Sequence, residues 1–483
     1  MHGRAARPTI GPMTDGNELC FTPALELARR IRARELSPVE LLEAVLARVE
    51  AVDSQVHAFV TVDAEGARAA AREAEAAVAR GDELGALHGL PVSVKDLEPV
   101  AGLRLTLGTR FHEHDVAGAD GPSAGRLRAA GAILFGKTNT PAFGHKDMCD
   151  NLLMPATRNP WALDRTSGAS SGGAGAAVAA GVGPLAHGTD GAGSIRIPAA
   201  LCGVFGLKPS FGRVPNWNAA DLWNSRSHAG PMTRTVRDAA LLLGAMAGPD
   251  PRDPLSIDGP REDYLAACEG GVRGLRVAWS ADLGYAPVDP EVRRLTEAAA
   301  RRFELLGCHV EAADPGWDHP GPWHAAIYRA GLAARVGPLA DQRPEWIDES
   351  LARVIELGRA VTAPELLAAY AARSRFYQQA CAFMARFDLL LTPAMACGAW
   401  SWERPPAEID GKPVQQVAGG RWPLMYPFNL TGWPAAAVPC GFTAEGLPVG
   451  LQIVAPWHRD AVCLRAAAAY EEAAPWADRR PLS

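Results

Sequence analysis

The chain has 483 residues, of which 48% are hydrophobic and 21% are charged. These values are typical of a soluble globular protein and argue against a disordered or fibrous chain. The length suffices for one large or two medium domains. A formal charge of −6 argues against the clustered basic surface that nucleic-acid binding needs, so we expect a small-molecule partner and no nucleic acid.

The first residues predict a flexible tail over residues 1–20, without the apolar core of a signal peptide or membrane anchor. The nine cysteines are scattered, with no CxxC pair or zinc-like cluster. We therefore expect reduced thiols, no metal, no membrane contact and a cytoplasmic location. Residues 429–431 match the glycosylation sequon, but without a secretory route the match has no consequence.

Secondary-structure signals alternate along the chain. Residues 37–40 form a capping box that opens a helix, and the first eighty residues are predicted to be mainly helical. Short apolar runs then alternate with helical patterns, which indicates an α/β fold with a largely buried sheet. The predicted elements are a strand at 91–94, a helix near 123–130, a strand at 132–135, a helix at 291–306, a strand at 308–312, a helix at 364–386 and a strand at 389–391.

Residues 131–138 match the phosphate-binding pattern GxxxxGK[ST]. In a real phosphate loop the four middle residues turn so that their N–H groups face the anion. Here residues 132–135 are themselves the apolar strand, and the preceding segment is helical. We therefore do not expect nucleotide binding.

Residues 168–172 match GxSxG, with Ser170 at the serine position. That pattern marks a nucleophile only where a buried strand precedes it. Residues 158–166 are polar and contain proline, so we expect a loop there. The histidines that could supply a base lack a diagnostic context; they are His187, His228, His319, His324 and His458.

Glycine, alanine and serine dominate residues 167–210. The run 191–194 consists of small residues whose N–H groups can converge on one point, as an oxyanion hole beside a nucleophile requires. A flexible linker is excluded because the segment is also too apolar to be solvated. Its apolar residues are Ile195, Ile197, Leu201, Val204 and Leu207.

Lysine is rare in this chain, with five lysines among 48 basic residues. Unlike arginine, a lysine can lose its proton when it is buried. Lys95 ends the apolar strand, where burial would lower the pKa of its ammonium towards neutrality. Lys95 is therefore a candidate general base. A surface lysine paired with Asp96 is the alternative.

Several separated segments, in order, resemble the amidase signature family. They are residues 89–96, 166–210, 428–434 and 446–452, and the resemblance extends from about Ser37 onward. It implies an α/β fold with a central mixed β-sheet covered by helices on both faces. It further implies one catalytic domain over residues 21–478, with substrate-pocket loops mainly within 215–435.

The resemblance also implies roles for site residues and no cofactor. Ser194 would be the nucleophile, Ser170 the proton-relaying serine after a cis peptide bond, and Lys95 the base. Ser171 would support them by hydrogen bonds. The oxyanion would be held by backbone N–H groups, those of Gly191, Ala192, Gly193 and Ser194.

Ala192 departs from the family's usual pattern, in which two glycines precede the nucleophile. Its methyl group leaves the backbone donor intact if its φ is negative. The Gly-Ala-Gly variant is similar to members that cleave aryl amides, aminohexanoate oligomers and carbamates. Tryptophan-rich loops also favour an apolar or aromatic substrate group, with ordinary packing as the alternative; the tryptophans concerned are Trp217, Trp223, Trp317, Trp323, Trp400, Trp402, Trp422 and Trp433.

We therefore expect hydrolysis of small-molecule amides, with carbamates and esters as further options. Two alternatives remain. One is the glutamine-hydrolysing A subunit of a tRNA-dependent amidotransferase, which shares these motifs. The other is a catalytically silent scaffold. The sequence leaves the oligomeric state open, with a homodimer as one option.

Overall fold

The computed structural model describes residues 16–259, 262–414 and 422–482. Its helices are α1 (Gly16–Phe21), α2 (Ala24–Arg32), α3 (Pro38–Val56), α4 (Ala64–Arg80), α5 (Pro122–Ala129), α6 (Gly172–Ala179), α7 (Arg196–Cys202), α8 (Val236–Met246), α9 (Tyr264–Ala267), α10 (Pro290–Leu305), α11 (Gly321–Gln342), α12 (Glu349–Arg359), α13 (Ala363–Met384), α14 (Pro427–Leu430) and α15 (Asp460–Ala473). Its strands are β1 (Phe59–Val62), β2 (Pro91–Lys95), β3 (Ile133–Thr138), β4 (Arg158–Asn159), β5 (Ala162–Thr166), β6 (Leu185–Asp190), β7 (Phe205–Lys208), β8 (His228–Thr233), β9 (Arg276–Trp279), β10 (His309–Ala312), β11 (Leu389–Pro393), β12 (Glu408–Ile409), β13 (Lys412–Pro413), β14 (Ala435–Phe442) and β15 (Pro448–Val454).

Eleven strands form one sheet in the order β1-β3-β2-β6-β8-β7-β14-β15-β11-β9-β10. The sheet is mixed. Strand β2 runs parallel to both β3 and β6, and β9 runs parallel to both β10 and β11. The central pairings from β6 through β8, β7, β14 and β15 to β11 are antiparallel.

Helices cover both faces of this sheet. In β3, Ile133 and Phe135 pack into one apolar cluster with α3, α4, α6 and α7, whereas Leu134 packs into another with α2, α5 and α8. Successive side chains of a strand point to opposite faces, so the alternation shows that both faces are buried. The predicted fold class, a mixed sheet between helical layers, is confirmed.

The predicted elements from 91 to 391 are present, with each end within three residues of its predicted position. The strand predicted at 132–135 is β3, which continues through Gly136 and Lys137 to Thr138 and pairs with β2. The phosphate-loop match therefore lies in a strand, as argued from the sequence. Ser37 caps α3 as predicted, since its hydroxyl accepts the N–H groups of Val39 and Glu40.

The expectation of a loop over residues 158–166 is wrong. Strands β4 and β5 form an antiparallel hairpin there. Its residues are mostly polar because the hairpin lies outside the central sheet, with much of β5 partly accessible to solvent. Ser170 thus does not follow a strand of the central sheet. The predicted tail falls mainly outside the described residues, and its last residues, 16–20, lie in α1.

The fold brings Lys95 and the run 191–194 to one edge of the sheet. Strands β2 and β6 are parallel neighbours, so their carboxyl ends meet at the same edge, where α/β proteins commonly bind ligands. Lys95 ends β2, and the run 191–194 follows the last residue of β6, Asp190. No helix within the described ranges is both long and apolar enough to cross a bilayer.

Candidate active site

Lys95 lies at the centre of the site. It is fully buried, and its Nζ is 2.7 Å from Ser170 Oγ and 2.9 Å from Thr189 Oγ1. Burial, which disfavours the charged form, lowers the pKa of Lys95 to about 7. A substantial fraction of this amine is therefore unprotonated near neutral pH, as a general base needs to be.

The pairing of Lys95 with Asp96, which the sequence left open, is not formed. Asp96 Oδ1 instead accepts from Lys137 Nζ at 2.7 Å, and both of these side chains are buried. Lys95 and Asp96 are adjacent in sequence, so they project to opposite sides of the extended chain. This separation leaves Lys95 without a carboxylate in hydrogen-bond contact among the described residues.

Ser170 and Ser171 sit at the start of α6. The Ala169–Ser170 peptide bond is cis, and the Ser170 side chain is buried against Lys95. Ser171 donates its hydroxyl to Thr189 O at 3.1 Å and accepts the Thr189 N–H at 3.2 Å. Its own N–H donates to Ser194 O at 3.0 Å. Ser171 thus connects the Ser170 segment to β6 and to the Ser194 segment.

The run 191–194 connects β6 to α7. Ser194 is half-buried, and its hydroxyl makes no hydrogen bond within the described part of the chain. Gly193 has a φ of 122°, a left-handed conformation that favours glycine. Ala192 lies outside the positive-φ region, so its methyl group is compatible with this backbone.

One of the four expected oxyanion donors is already used. The N–H of Gly193 donates to Asp190 Oδ1 at 2.7 Å. The N–H groups of Gly191, Ala192 and Ser194 have no acceptor among the described residues. Three of the four predicted groups therefore remain available to an incoming oxygen atom.

A buried polar network, which was not identified from the sequence, holds the run 191–194 in place through Asp190. Asp190 accepts from two nitrogens of Arg196 at 3.0 Å each and from Asn429 Nδ2 at 2.8 Å. Arg196 also donates to Gln452 Oε1 at 2.6 Å. Burial alone would raise the pKa of the Asp190 carboxyl, but Arg196 outweighs burial and holds that pKa well below its usual range.

Asp190 and Arg196 flank the run 191–194, so these two network residues lie close to Ser194 in the sequence. A buried carboxylate and guanidinium six residues apart could have suggested an ion pair. Asn429 and Gln452 lie more than 230 residues further on, in α14 and β15. No local pattern connects them to the run, although both lie in segments that resemble the family, residues 428–434 and 446–452.

Aromatic side chains lie next to Ala192, on one side of the site. Ala192 packs against an apolar cluster that includes Tyr426, Phe428 and Trp433. Trp317, Trp323 and Trp422 belong to or pack on the same cluster. Trp223, in contrast, is 70% exposed. The tryptophan-rich loops thus divide into buried wall residues and surface residues.

Among the described residues, no histidine makes a hydrogen bond to Ser170, Ser171 or Ser194. Both ring nitrogens of buried His187 lack a partner in the described structure, and burial lowers its pKa to about 3. His228 Nδ1 contacts Asp190 O at 3.1 Å. Lys95 is thus the basic side chain in contact with Ser170. Within the described ranges, no group of three or more His, Cys, Asp or Glu side chains is arranged to hold a metal ion.

Comparison with known proteins agrees with this geometry. The family model named Amidase matches residues 40–464. An acylamidase of Rhodococcus erythropolis is 42% identical over 474 residues, covering 97% of this chain and 98% of that protein. The A subunit of the glutamyl-tRNA(Gln) amidotransferase of Roseiflexus sp. is 36% identical over 496 residues, covering 97% of this chain and 99% of that protein.

Solved structures share the whole fold. A bacterial aryl acylamidase of the amidase signature family superposes with a TM-score of 0.89 at 32% identity, covering 94% of this chain and 97% of that chain. A 6-aminohexanoate cyclic dimer hydrolase in complex with substrate gives a TM-score of 0.85 at 30% identity, covering 96% and 99%.

The fold and the match across most of the chain define an amide-hydrolysing enzyme. The chain belongs to the amidase family, whose solved members include amidase signature enzymes.

Proposed function

We propose that this enzyme cleaves small-molecule amides through Ser194, with Ser170 as proton relay and Lys95 as base. The observation that carries the proposal is the 2.7 Å contact between the Lys95 amine and the Ser170 hydroxyl. The low pKa of Lys95, about 7 because of burial, supports its role as an acceptor of protons. Ser194, held beside them through the Ser171 N–H, is the serine that a substrate can reach.

The reaction then runs through an acyl-enzyme. Neutral Lys95 takes the Ser170 proton while Ser170 takes the Ser194 proton, and Ser194 Oγ attacks the amide carbon. The carbonyl oxygen becomes negative and is bound by the free N–H groups of the run 191–194. The relay returns a proton to the nitrogen, the C–N bond breaks and the amine leaves. Water, deprotonated by the same relay, then cleaves the ester to Ser194.

Aryl or apolar amides fit the site best, with carbamates and esters as further substrates. The aromatic cluster on which Ala192 packs lies next to the run, and its partly buried members, Trp323 and Trp422, support an apolar substrate group. The similarity to an acylamidase and to a structure of an aryl acylamidase supports the same substrate class. The reaction needs no cofactor, because the base, the relay and the oxyanion donors are all protein groups.

The first test is hydrolysis of 4-nitroacetanilide by the purified chain, followed by release of 4-nitroaniline. We expect Ser194→Ala to lower kcat by roughly 1,000-fold or more. Lys95→Arg should lower it by about 100-fold or more, because arginine keeps its proton. Ser374→Ala and Lys146→Arg are the matched controls, because Ser374 is exposed and Lys146 pairs with Asp150.

Residual turnover in Ser194→Ala above a few per cent of wild type would refute the nucleophile assignment. A nearly active Lys95→Arg would refute the base.

The amidotransferase alternative is favoured by one observation, the 36% identity to the A subunit of an amidotransferase over almost the whole chain. The same preparation therefore receives L-glutamine, with ammonia release as the readout. Anilide cleavage by the isolated chain without glutamine turnover supports the acylamidase function. Glutamine turnover that depends on the other components of an amidotransferase complex would overturn it.

A further inference from the structure

Arg226 is a half-buried cation without a charged partner. Its Nη1 lies 2.8 Å from His324 Nδ1, and its guanidinium carbon lies 5.9 Å from the centre of the Tyr328 ring. Its other two nitrogens have no hydrogen-bond partner within the described ranges, and no described carboxylate lies within 4 Å of it. Its hydrogen-bonding capacity is therefore mostly unused.

A second arginine stands nearby. Arg373 donates from Nε to Leu430 O at 2.8 Å and, like Arg226, makes no ion pair among the described residues. Burial and the charge of Arg373 lower the pKa of Arg226 to about 10, so Arg226 stays protonated at neutral pH. Two cations that repel each other without an acid between them favour an anion from outside the chain.

His324 cannot neutralise this charge. Its ring is held between two tyrosines, stacked on Tyr426 at 4.4 Å between centroids and on Tyr328 at 5.8 Å. Burial lowers the pKa of His324 well below its usual value. A neutral histidine fixes the direction of the Arg226 side chain by accepting one hydrogen bond, and it leaves the positive charge uncompensated.

A chain of contacts connects Arg226 to the reacting run. Tyr426, on which His324 stacks, follows Met425, whose Cβ lies within 2.7 Å of the place that a Cβ of Gly193 would occupy. Two residues after Arg226, His228 contacts the carbonyl oxygen of Asp190. Arg226 is thus connected to the segment around the run 191–194 by two routes, one along the chain through His228 and one through His324 and Tyr426.

We propose that Arg226 binds a carboxylate carried by the substrate, so that the enzyme prefers amides with an apolar body and an anionic end. The inference rests on the proposed function, because it takes the surface beside the run 191–194 as the amide site. The planar guanidinium matches a carboxylate with two parallel hydrogen bonds, which neutral amides cannot form. The aromatic wall accommodates the apolar body between that carboxylate and the scissile bond.

The test measures binding in the Ser194→Ala background by calorimetry, so that it does not depend on turnover. Adipic acid mono-anilide is compared with hexanoic anilide, which places the carboxylate on the acyl side. N-hexanoyl-4-aminobenzoate is compared with N-hexanoyl-4-toluidine, which places it on the amine side. We expect the carboxylate to lower Kd about 10-fold or more in one of the two pairs.

Arg226→Gln should bring that Kd ratio close to one, and Arg226→Lys should keep part of it because the charge remains. The matched control is Arg375→Gln, an exposed arginine of the same helix as Arg373 whose removal changes the net charge equally. Arg375→Gln should keep the full ratio. Raising the salt concentration should reduce the ratio in the wild-type background, a readout that survives if Arg226→Gln does not fold.

A Kd ratio near one in both pairs, or a ratio that Arg226→Gln leaves unchanged, would overturn the inference. Turnover of the same compounds is also measured with Ser194 intact, so that failure of the Arg226 assignment can be told apart from failure of the proposed amide hydrolysis. Binding preference without hydrolysis contradicts the proposed function and leaves the Arg226 assignment standing. Hydrolysis without a carboxylate preference contradicts the assignment alone.

Discussion

At the scale of single residues, three buried lysines show that the neighbours of a lysine determine whether it can act as a base. Lys95, Lys137 and Lys208 are all fully buried, and burial lowers the pKa of each, to about 7 for Lys95 and Lys208. Lys137 pairs with Asp96, and Lys208 donates to backbone carbonyls, including that of Trp433. Lys95 alone of the three contacts a serine hydroxyl. A low pKa becomes useful only beside a group that can exchange a proton.

The pH dependence of activity follows from Lys95. The base acts when it is unprotonated, so activity is present above the pKa and is lost as pH falls through it. With a pKa of about 7, kcat/KM should fall about 10-fold per pH unit below pH 6 and level off above pH 8. The measurement is kcat/KM for a neutral anilide from pH 5 to 9.

Glu98 provides the control for this profile, because burial raises its pKa to about 7 as well. Its carboxylate accepts the N–H groups of Ser123 and Ala124 at the start of α5, and within the described structure it makes no hydrogen bond to Lys95, Ser170 or Ser194. Glu98→Gln removes this titration and should leave the profile unchanged. A flat profile, or one that falls with rising pH, would contradict the assignment of Lys95.

The sequence predicted the residues of this site that are close to a motif and missed those that are not. Lys95 ends an apolar strand and Ser170 lies in the Gly/Ser segment, so local patterns located both. Asn429 lies in a glycosylation sequon and in the resembling segment 428–434, but neither assigned it a role, yet its buried side chain contacts Asp190. Such contacts form because the sheet brings distant strands together, and the spacing of residues in the sequence does not predict which strands will be neighbours.

At the scale of elements, the small residues of α6 are explained by close packing. A Cβ at Gly173 would lie 2.4 Å from Asn139 N and 2.5 Å from Ala58 O. Both neighbours are backbone atoms and cannot rotate away. The helix therefore approaches the chain around β1 and β3 closely, which positions Ser170 and Ser171 at its start. The glycine-rich composition of this segment is thus also a packing requirement.

Gly173→Ala should therefore displace α6 and, with it, the serines at its start. Overpacking of this kind costs about 1–3 kcal/mol of folding stability, and we expect a clear drop in kcat. Urea denaturation and anilide turnover measure the two effects. The matched control is Gly244→Ala in α8, where an added Cβ meets no atom within 4 Å.

Gly244→Ala should be neutral or stabilise by up to about 1 kcal/mol, because alanine favours a helix over glycine. Equal stability of the two variants would show that α6 does not pack as tightly as these distances indicate.

The hairpin β4–β5 shows where element prediction failed. Its residues lack alternation and include Pro160, which favours a loop. Asn159 Nδ2 donates to Thr166 O within the hairpin and to Leu201 O outside it, and Trp161 Nε1 donates to Cys202 O. These tertiary hydrogen bonds replace the local propensity that the segment lacks. The long helices α10 and α13 were predicted to within two residues, whereas the 22-residue helix α11 was not predicted.

At the scale of the whole molecule, buried side chains fasten distant parts of the chain to each other. The Asp238 carboxylate in α8 accepts the N–H groups of Ala24 and Leu25, both at 3.0 Å, at the start of α2. Arg234 donates to the carbonyl oxygens of Cys20 and Gly183. The N-terminal helices are thus docked by residues more than 200 positions away.

Asp238→Ala should loosen this docking without touching the site. It leaves the N–H groups of Ala24 and Leu25 without the Asp238 acceptor, a loss of about 1–3 kcal/mol for the buried Ala24 group and a smaller one for Leu25, which is exposed and can be hydrated. Hydrogen exchange should therefore accelerate in Ala24–Arg32 more than elsewhere, and the urea midpoint should fall. Asp263→Ala serves as control, because Asp263 caps only its own short helix, accepting from Ala266 N at 2.9 Å. If exchange in α2 is equally slow in both variants, the helix is held by apolar packing alone, and the carboxylate contributes nothing to its docking.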